Sequence, residues 1–391
     1  MRSSLASRPG NSHSGEYASK TKRRSICREP KRRVGALAWV TQPHINRIAT
    51  ALPRHEVHAA FHRFAGRQIA EPQLRSAFGR LAERAQIERR WSVLEPEPDA
   101  SGTTDGFYRT DRFPGTAARM ARYEAEAPAL AEAAGLALGL EREGPGLTHL
   151  LLATCTGFAA PGLDHWIIRR FGLPGSVERS IIGFMGCQAA VNALKLAHHI
   201  VRSDHRARVL VLNLELCSLH LQPASSLDQL LCFLLFADGC SAALVSAEPT
   251  GLAIEGFHAA LVPQTADQIT WRIGDGGFDM TLSGFVPLTL ARALPDQAEA
   301  ILAGLPVEAI DLWAVHPGGR SVLDAVARGL GLGEAALDVS RAVLREHGNM
   351  SSATVMFVLA RMLAGARRGQ RGCALAFGPG LSAETMRFRV A

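Results

Sequence analysis

The stretch "GFMGCQAAVNALKLAHHIV", residues 183–201, sets Cys187 between a glycine and a run of helix-forming residues, just after the apolar segment "SIIGFM". A second stretch on the same plan, "EHGNMSSATVMFVLARML" at 346–363, places Asn349 after Gly348 at the head of another apolar helix. The likeness extends outward from both. "HLLLATCTGFAAPGLD" (149–164) reads as a buried strand ending in Cys155 and a glycine-containing turn, and "DLWAVHPGGRSVLD" (311–324) as a strand ending in His316 and a glycine-rich turn. Cys155 precedes Cys187 by 32 positions and His316 precedes Asn349 by 33. Each series then closes on a glycine-containing turn between apolar strands, "LLFADGCSAALVSA" (234–247) and "ALAFGPGLSAETMRFRV" (374–390). Such a repeat implies two similar α/β halves packed on each other, with equivalent strand ends facing one cleft. Cys187, His316 and Asn349 would then meet.

The 391 residues suffice for two domains, or for one large domain with a duplicated core. A formal charge of +7 suggests a nucleic-acid binder until its location is considered. Residues 1–33 hold ten Lys/Arg and two Glu, a surplus of +8, which leaves −1 for residues 34–391. The body is neutral, so binding to nucleic acid would have to rest on the tail alone. That tail is rich in Ser and Arg and has no apolar period, so it reads as disordered; a transit peptide, a mis-assigned start codon and a plain solvated tail all fit its make-up. The chain lacks the run of about 18 apolar residues that a transmembrane helix needs. Its seven cysteines include no C-x-x-C pair, which argues against a disulfide framework and a zinc site and for a reducing cytosol. The organisation expected is therefore a basic tail at 1–33, a half with the cysteine at 34–248 and a half with the histidine and asparagine at 249–391. Within the first, "VGALAWV" (34–40) reads as a strand, "HEVHAAFHRFA" and "PQLRSAFGRLAERAQ" as helices, and "LEPEPDASGTTDG" (94–106) as an exposed loop.

Each residue of the constellation has a bland reading beside a chemical one. Cys187 is either a small buried hydrophobe or a nucleophile whose thiolate is favoured by the positive end of a helix and by a nearby imidazole. His316 is a hydrogen-bonded turn residue or a catalyst; the Pro-Gly-Gly after it lets backbone or ligand come close at Gly318 and Gly319. Asn349 is the N-cap of its helix or a hydrogen-bond donor to substrate. Together the three supply what a thioester-condensing site needs: a nucleophile to hold an acyl group and two donors aimed at a developing oxyanion. No carboxylate in these motifs completes a protease-like relay.

"GFMGCQAA", "WAVHPGGRSVLDA", "GNMSSATV" and "FGPGLSAET", in this order, resemble the type III polyketide synthases, the chalcone-synthase-like branch of the thiolase superfamily. The resemblance covers about residues 34–391, and "ATCTGFAAPGLD" and "LLFADG" fit it too. It implies a thiolase-like αβαβα fold built from two similar halves, a homodimer, and a Cys-His-Asn set that falls on Cys187, His316 and Asn349. It implies as substrates an acyl-CoA starter and malonyl-CoA, with no further cofactor, no metal, and no partner among nucleic acids or membranes. The expected activity is starter loading on the cysteine, iterative decarboxylative condensation, and cyclisation to a chalcone, pyrone, resorcinol or phloroglucinol type of product, in the cytoplasm. A family phenylalanine at the junction of tunnel and cavity falls on Phe236; a second falls on Met280, a departure that alters the cavity. Two of three basic positions for the CoA phosphates fall on Arg80 and Arg84, which share one helix face. The third falls on Ala77, with Arg75 as a possible substitute. Ala160 matches a position that lines the partner subunit's cavity. Cys155 and His220 are expected to shape the pocket, and Phe278 and Trp271 to belong to the core.

Two relatives in fold are weaker matches. An initiating ketoacyl-ACP synthase would read "HQAN" where this chain has "HPGGR", and a degradative thiolase would need a second catalytic cysteine near "FGPG", where Cys373 lies inside the preceding strand. A non-catalytic protein acting through its basic tail is the rival of a different class.

Overall fold

A computed structural model describes residues 41–223 and 227–391. The basic tail and the strand expected at 34–40 lie outside the described residues. Strand β1 (His44–Ala51) is followed by the short strands β2 (His55–Glu56) and β3 (Trp91–Ser92), between which lie helices α1 (His58–Gln68) and α2 (Pro72–Ala85). Then come α3 (Thr116–Leu138), α4 (Leu140–Glu143), β4 (His149–Ala153), α5 (Leu163–Phe171), β5 (Glu178–Ile182), α6 (Ala189–Ser203), β6 (Val209–Leu216), α7 (Leu227–Leu235) and β7 (Asp238–Ser246). The second series is β8 (Leu252–Leu261), the hairpin β9 (Ile269–Gly274) and β10 (Gly277–Leu282), α8 (Val286–Leu302), β11 (Leu312–Val315), α9 (Arg320–Leu330), α10 (Asp338–His347), α11 (Ser352–Gly365), β12 (Arg371–Gly378) and β13 (Ser382–Val390). The local signals are ordinary ones. Pro72 opens α2, where its missing N–H costs nothing, and α3 stops at Gly139 in the left-handed conformation. The segment 94–106 departs from the exposed loop expected of it: Leu94, Ala100 and Thr103 are buried, and short bridges fold it back on itself.

Nine strands form one continuous ladder in the order β11-β12-β13-β8-β1-β7-β6-β4-β5. Its centre is the pairing of β1 with β8, through His44 with Ala253 and Ile45 with Leu252. On either side the strands repeat: β1, β7, β6, β4 in one wing correspond to β8, β13, β12, β11 in the other. β4 pairs in parallel with β6, and β11 with β12, so the strands that end at Cys155 and His316 hold equivalent places.

Helices α6 and α11 lie between the wings. Val191, Leu194 and Val201 of α6 and Val355, Met356 and Leu359 of α11 share one core with Val209, Val211 and Val245 of the first wing and Ala374, Met386 and Phe388 of the second. Residues 352–359 are buried without interruption, the mark of a helix with apolar partners on every face. The outer faces of the wings pack on α3 and α5 and on α8 and α9 in a second core. Helix, sheet, helix, sheet and helix thus succeed one another, the αβαβα arrangement.

Candidate active site

Cys187 sits in a single 3₁₀ turn, Gly186–Gln188, that runs directly into α6. Gly186 takes φ +63°, and a Cβ added there would stand 2.5 Å from Cδ of Pro379, so both backbone and space require glycine. His316 follows β11; its N–H donates to Leu375 O at 2.7 Å, while neither ring nitrogen has a hydrogen-bond partner among the described residues. Asn349 follows Gly348, at φ +70°, and pairs through its backbone with Phe236. Its Nδ2 donates to Gly318 O at 3.3 Å, and its Oδ1 accepts from Ser351 N–H at 2.9 Å.

Cys187, His316 and Asn349 line one largely apolar cavity, together with Phe236, Met280 and Gly318. The capping alternative for Asn349 needs correcting. Helix α11 begins at Ser352 and is flanked by Ser351, which adopts φ 48°, so Asn349 stands two residues too early to cap it. Its carboxamide shapes that turn through Oδ1 and spends Nδ2 on the His-Pro-Gly-Gly loop. Gly319 does not line the cavity; it flanks α9 with its Cα turned towards the Leu235 side chain. Arg80 and Arg84 stand on the exposed face of α2, outside the cavity lining, and Arg80 donates to Ser76 Oγ at 2.7 Å. Arg75, the possible substitute, is tied to Ile69 O at 2.6 Å. Ala160 precedes a cis proline at the start of the segment leading to α5.

Burial governs the charge states. It pushes the Cys187 thiol up to about 12, helped by the negative Glu215 and offset in part by hydrogen bonds from Ser351 and Asn349. It also pushes the His316 imidazole down to about 3. Burial thus opposes the thiolate that the helix end favours.

The walls hold two surprises. Trp271, expected in the core, lines the cavity instead: the hairpin β9–β10 folds over the site, and Trp271 Nε1 donates to Cys155 O at 2.8 Å. Phe278 is buried as expected and stacks on His220 with ring centroids 4.2 Å apart. His220 Nε2 lies 2.7 Å from Thr156 O, and Phe278 N–H donates to Nδ1, which together assign the neutral tautomer with its proton on Nε2. Cys155 lies beside the Cys187 turn, its Sγ accepting from Gly186 N–H at 3.2 Å. The second surprise is Glu215, at the end of β6 and fully buried. It accepts from Cys155 N–H and Thr156 Oγ1 at 2.9 Å each and from Ser352 Oγ at 2.5 Å, and burial raises its carboxyl to about 7. Its signal was in plain view in "VLVLNLEL", a charge inside an otherwise buried strand, which is rarely tolerated without dedicated partners.

Residues 42–249 match the N-terminal domain of chalcone and stilbene synthases, and residues 254–391 match the C-terminal domain. An alpha-pyrone synthesis polyketide synthase-like protein, Pks18, of Mycobacterium tuberculosis is 32% identical over 365 residues, covering 88% of this chain and 91% of that protein. The 1,3,6,8-tetrahydroxynaphthalene synthase of Streptomyces griseus is 35% identical over 283 residues, 71% of this chain and 76% of the other. Among solved structures, PKS-I of the brown alga Ectocarpus siliculosus superposes with a TM-score of 0.80 at 30% identity, covering 90% of this chain and 98% of that one. The type III polyketide synthase 1,3,6,8-tetrahydroxynaphthalene synthase of Streptomyces coelicolor gives 0.79 at 29%, covering 90% and 99%.

Proposed function

The chain belongs to the chalcone and stilbene synthase family and is a type III polyketide synthase, and on that premise we propose that Cys187, His316 and Asn349 carry its chemistry. The family works on acyl-CoA and malonyl-CoA. The observation that carries the assignment is the convergence of the three residues, one from the first half and two from the second, on a single apolar cavity.

The proton of the Cys187 thiol passes to His316 as the sulfur attacks the carbonyl carbon of a starter acyl-CoA. The tetrahedral oxyanion collapses, the CoA sulfur leaves with that proton, and the acyl group remains on Cys187. Malonyl-CoA then loses CO2, and the electron pair of the broken carbon–carbon bond becomes an enolate. Its oxygen is held by N–H groups of neutral His316 and of Asn349. The enolate carbon attacks the enzyme thioester, Cys187 is expelled as thiolate, and a CoA-bound chain two carbons longer results. Reloading and repetition give a polyketide that cyclises in the same cavity, as a chalcone, pyrone, resorcinol or phloroglucinol type.

Phe236, Met280 and Trp271 set the room available to the chain beside the Gly318 backbone, while Arg80 and Arg84 meet the CoA phosphates outside the cavity. The functional division runs as a tail at 1–33, a nucleophile half at 34–248 and a donor half at 249–391. A homodimer is supported by the edge strand β5, which among the described residues pairs with β4 alone and leaves Ile181 exposed, as Met185 is. A cytoplasmic setting accords with the free cysteines Cys155, Cys187, Cys217, Cys240 and Cys373. The test is to supply purified protein with malonyl-CoA, or malonyl carried on acyl carrier protein, and a panel of acyl-CoA starters, and to identify products by mass spectrometry. Cyclised products from malonyl-CoA support the reading; turnover only with the carrier protein overturns the substrate assignment.

A further inference from the structure

The guanidinium of Arg90 takes no part in the chemistry above, yet it touches the frame of the site on two sides. Arg90 lies between α2 and β3 and is fully buried. Its Nη1 donates to Phe236 O at 3.0 Å and its Nε to His58 Nδ1 at 3.1 Å. Its aliphatic stem lies against Gly348, where an added Cβ would come within 2.7 Å of Arg90 Cγ. Phe236 and Asn349 face each other across a one-residue bridge: Asn349 N–H donates to Leu235 O at 2.8 Å, and Ala237 N–H donates to Asn349 O at 2.9 Å. The head of Arg90 thus holds one side of that bridge and its stem bounds the other.

We propose that Arg90 is a positioning residue for the condensation, fixing the Phe236–Asn349 bridge so that the carboxamide stays on the reacting oxygen and the phenyl ring stays against the growing chain. The proposal rests on the role given to Asn349. A purely structural cation is the plainer reading, and the energetics speak against it. A buried charge costs stability unless its hydrogen bonds are complete, and an apolar side chain of similar volume often serves as well or better. Nη2 of Arg90 has no partner among the described residues, and burial draws the guanidinium down to about 10 against the pull of Glu56 and Asp238. An apolar chain would fill the same space; it could not hold the Phe236 carbonyl.

The test uses the full chain with Arg90→Met and Arg90→Lys, measuring kcat, KM for malonyl-CoA and the product distribution. A displacement of a catalytic group by a fraction of its bond length to about 1 Å costs up to about a hundredfold, so Arg90→Met should lower kcat about ten- to hundredfold while KM changes less than about threefold. Products should shift towards shorter, prematurely released chains, and Arg90→Lys should recover part of the rate. A folded Arg90→Met protein with wild-type kcat and products overturns the proposal, as does a loss that only follows the folded fraction seen by circular dichroism. If the methionine variant fails to fold, His58→Ala decides, because it removes one anchor and leaves the charge: a severalfold fall in kcat at constant KM supports positioning, and an unchanged kcat overturns it. Failure of the parent reading is seen separately, since wild-type turnover in Asn349→Ala would remove the premise.

Discussion

The two helix heads that face the cavity, before α6 and before α11, solve one problem by different means. Both present their candidate residue, Cys187 or Asn349, after a glycine at positive φ, Gly186 at +63° and Gly348 at +70°. Each glycine is fitted against the opposite half: the space beside Gly186 is filled by Pro379, and that beside Gly348 by Arg90 and Leu235 O. What differs is the polar support. The Cys187 turn touches Cys155 Sγ, whereas the Asn349 turn is held by Gly318 O, Leu235 O, the Ala237 N–H and Thr354. The Cys187 thiol itself meets Ser351 and Asn349, and Gln188 Oε1 accepts from Ser382 Oγ, so the first turn is held largely by side chains of the second half. Neither half contains a site alone, because each gauges the other's turn.

The sharpest way to break this comparison is to remove the nucleophile. Cys187→Ala should abolish polyketide formation while malonyl-CoA decarboxylation, read by release of CO2, stays within about tenfold, a barrier change of about 1.4 kcal/mol, because the donors persist. Loss of both activities together would deny the division of labour. Asn349→Ala should lower decarboxylation and condensation by about 10²–10³, the usual effect of one oxyanion donor. Its thermal midpoint should fall as well, since Ser351 N–H and Gly318 O lose their partner, and a lowered midpoint with unchanged specific turnover would make the residue structural.

Substituting the glycines sharpens the contrast between the turns. Gly186→Ala should slow acyl loading, measured by mass spectrometry of the intact acyl-enzyme, and Gly348→Ala should slow decarboxylation, each by about tenfold or more for a displacement of a few tenths of an ångström to 1 Å. Equal effects of both variants on both steps would erase the distinction. Changes to the walls act on product identity instead: Trp271→Gly and Phe236→Ala should lengthen the products and Met280→Phe should shorten them, with decarboxylation within about tenfold. An identical product profile in all three folded variants would place these side chains in the core.

The smallest expected effect concerns stability. The Glu215 carboxyl is raised by burial to about 7, above its unfolded value, so the folded state keeps a proton that the unfolded state has lost between those two values. This contribution to stability is complete at low pH and disappears as pH rises through about 7. Urea denaturation of Glu215→Gln should therefore show a flatter dependence on pH than the wild type between about pH 5 and 7, and a parallel curve would mean that Glu215 does not titrate there.

Much of this was legible before any coordinates. The halves, their strand-to-helix turns and the family were readable from "GFMGCQAA", "HPGGR" and "GNMSSATV", because a glycine ahead of a polar residue at a helix head leaves a local trace. Glu215 leaves a trace too, a lone charge in the apolar run of β6. Trp271 left none that separates it from the core, since its place on the cavity wall depends on how the hairpin β9–β10 docks. Arg75 and Arg80 read alike as surface cations, yet one is tied to Ile69 O and the other to Ser76.

By itself, then, the sequence determined the two α/β halves and which cysteine, histidine and asparagine stand at equivalent turns, because period, glycine placement and repeat spacing are properties of the chain within a few residues. The tertiary structure alone decided that burial raises the thiol and lowers the imidazole, that Asn349 serves a turn without capping a helix, and that Arg90 lies beneath it. Those outcomes depend on desolvation and on contacts between segments more than a hundred residues apart, and no local pattern encodes the water that folding removes.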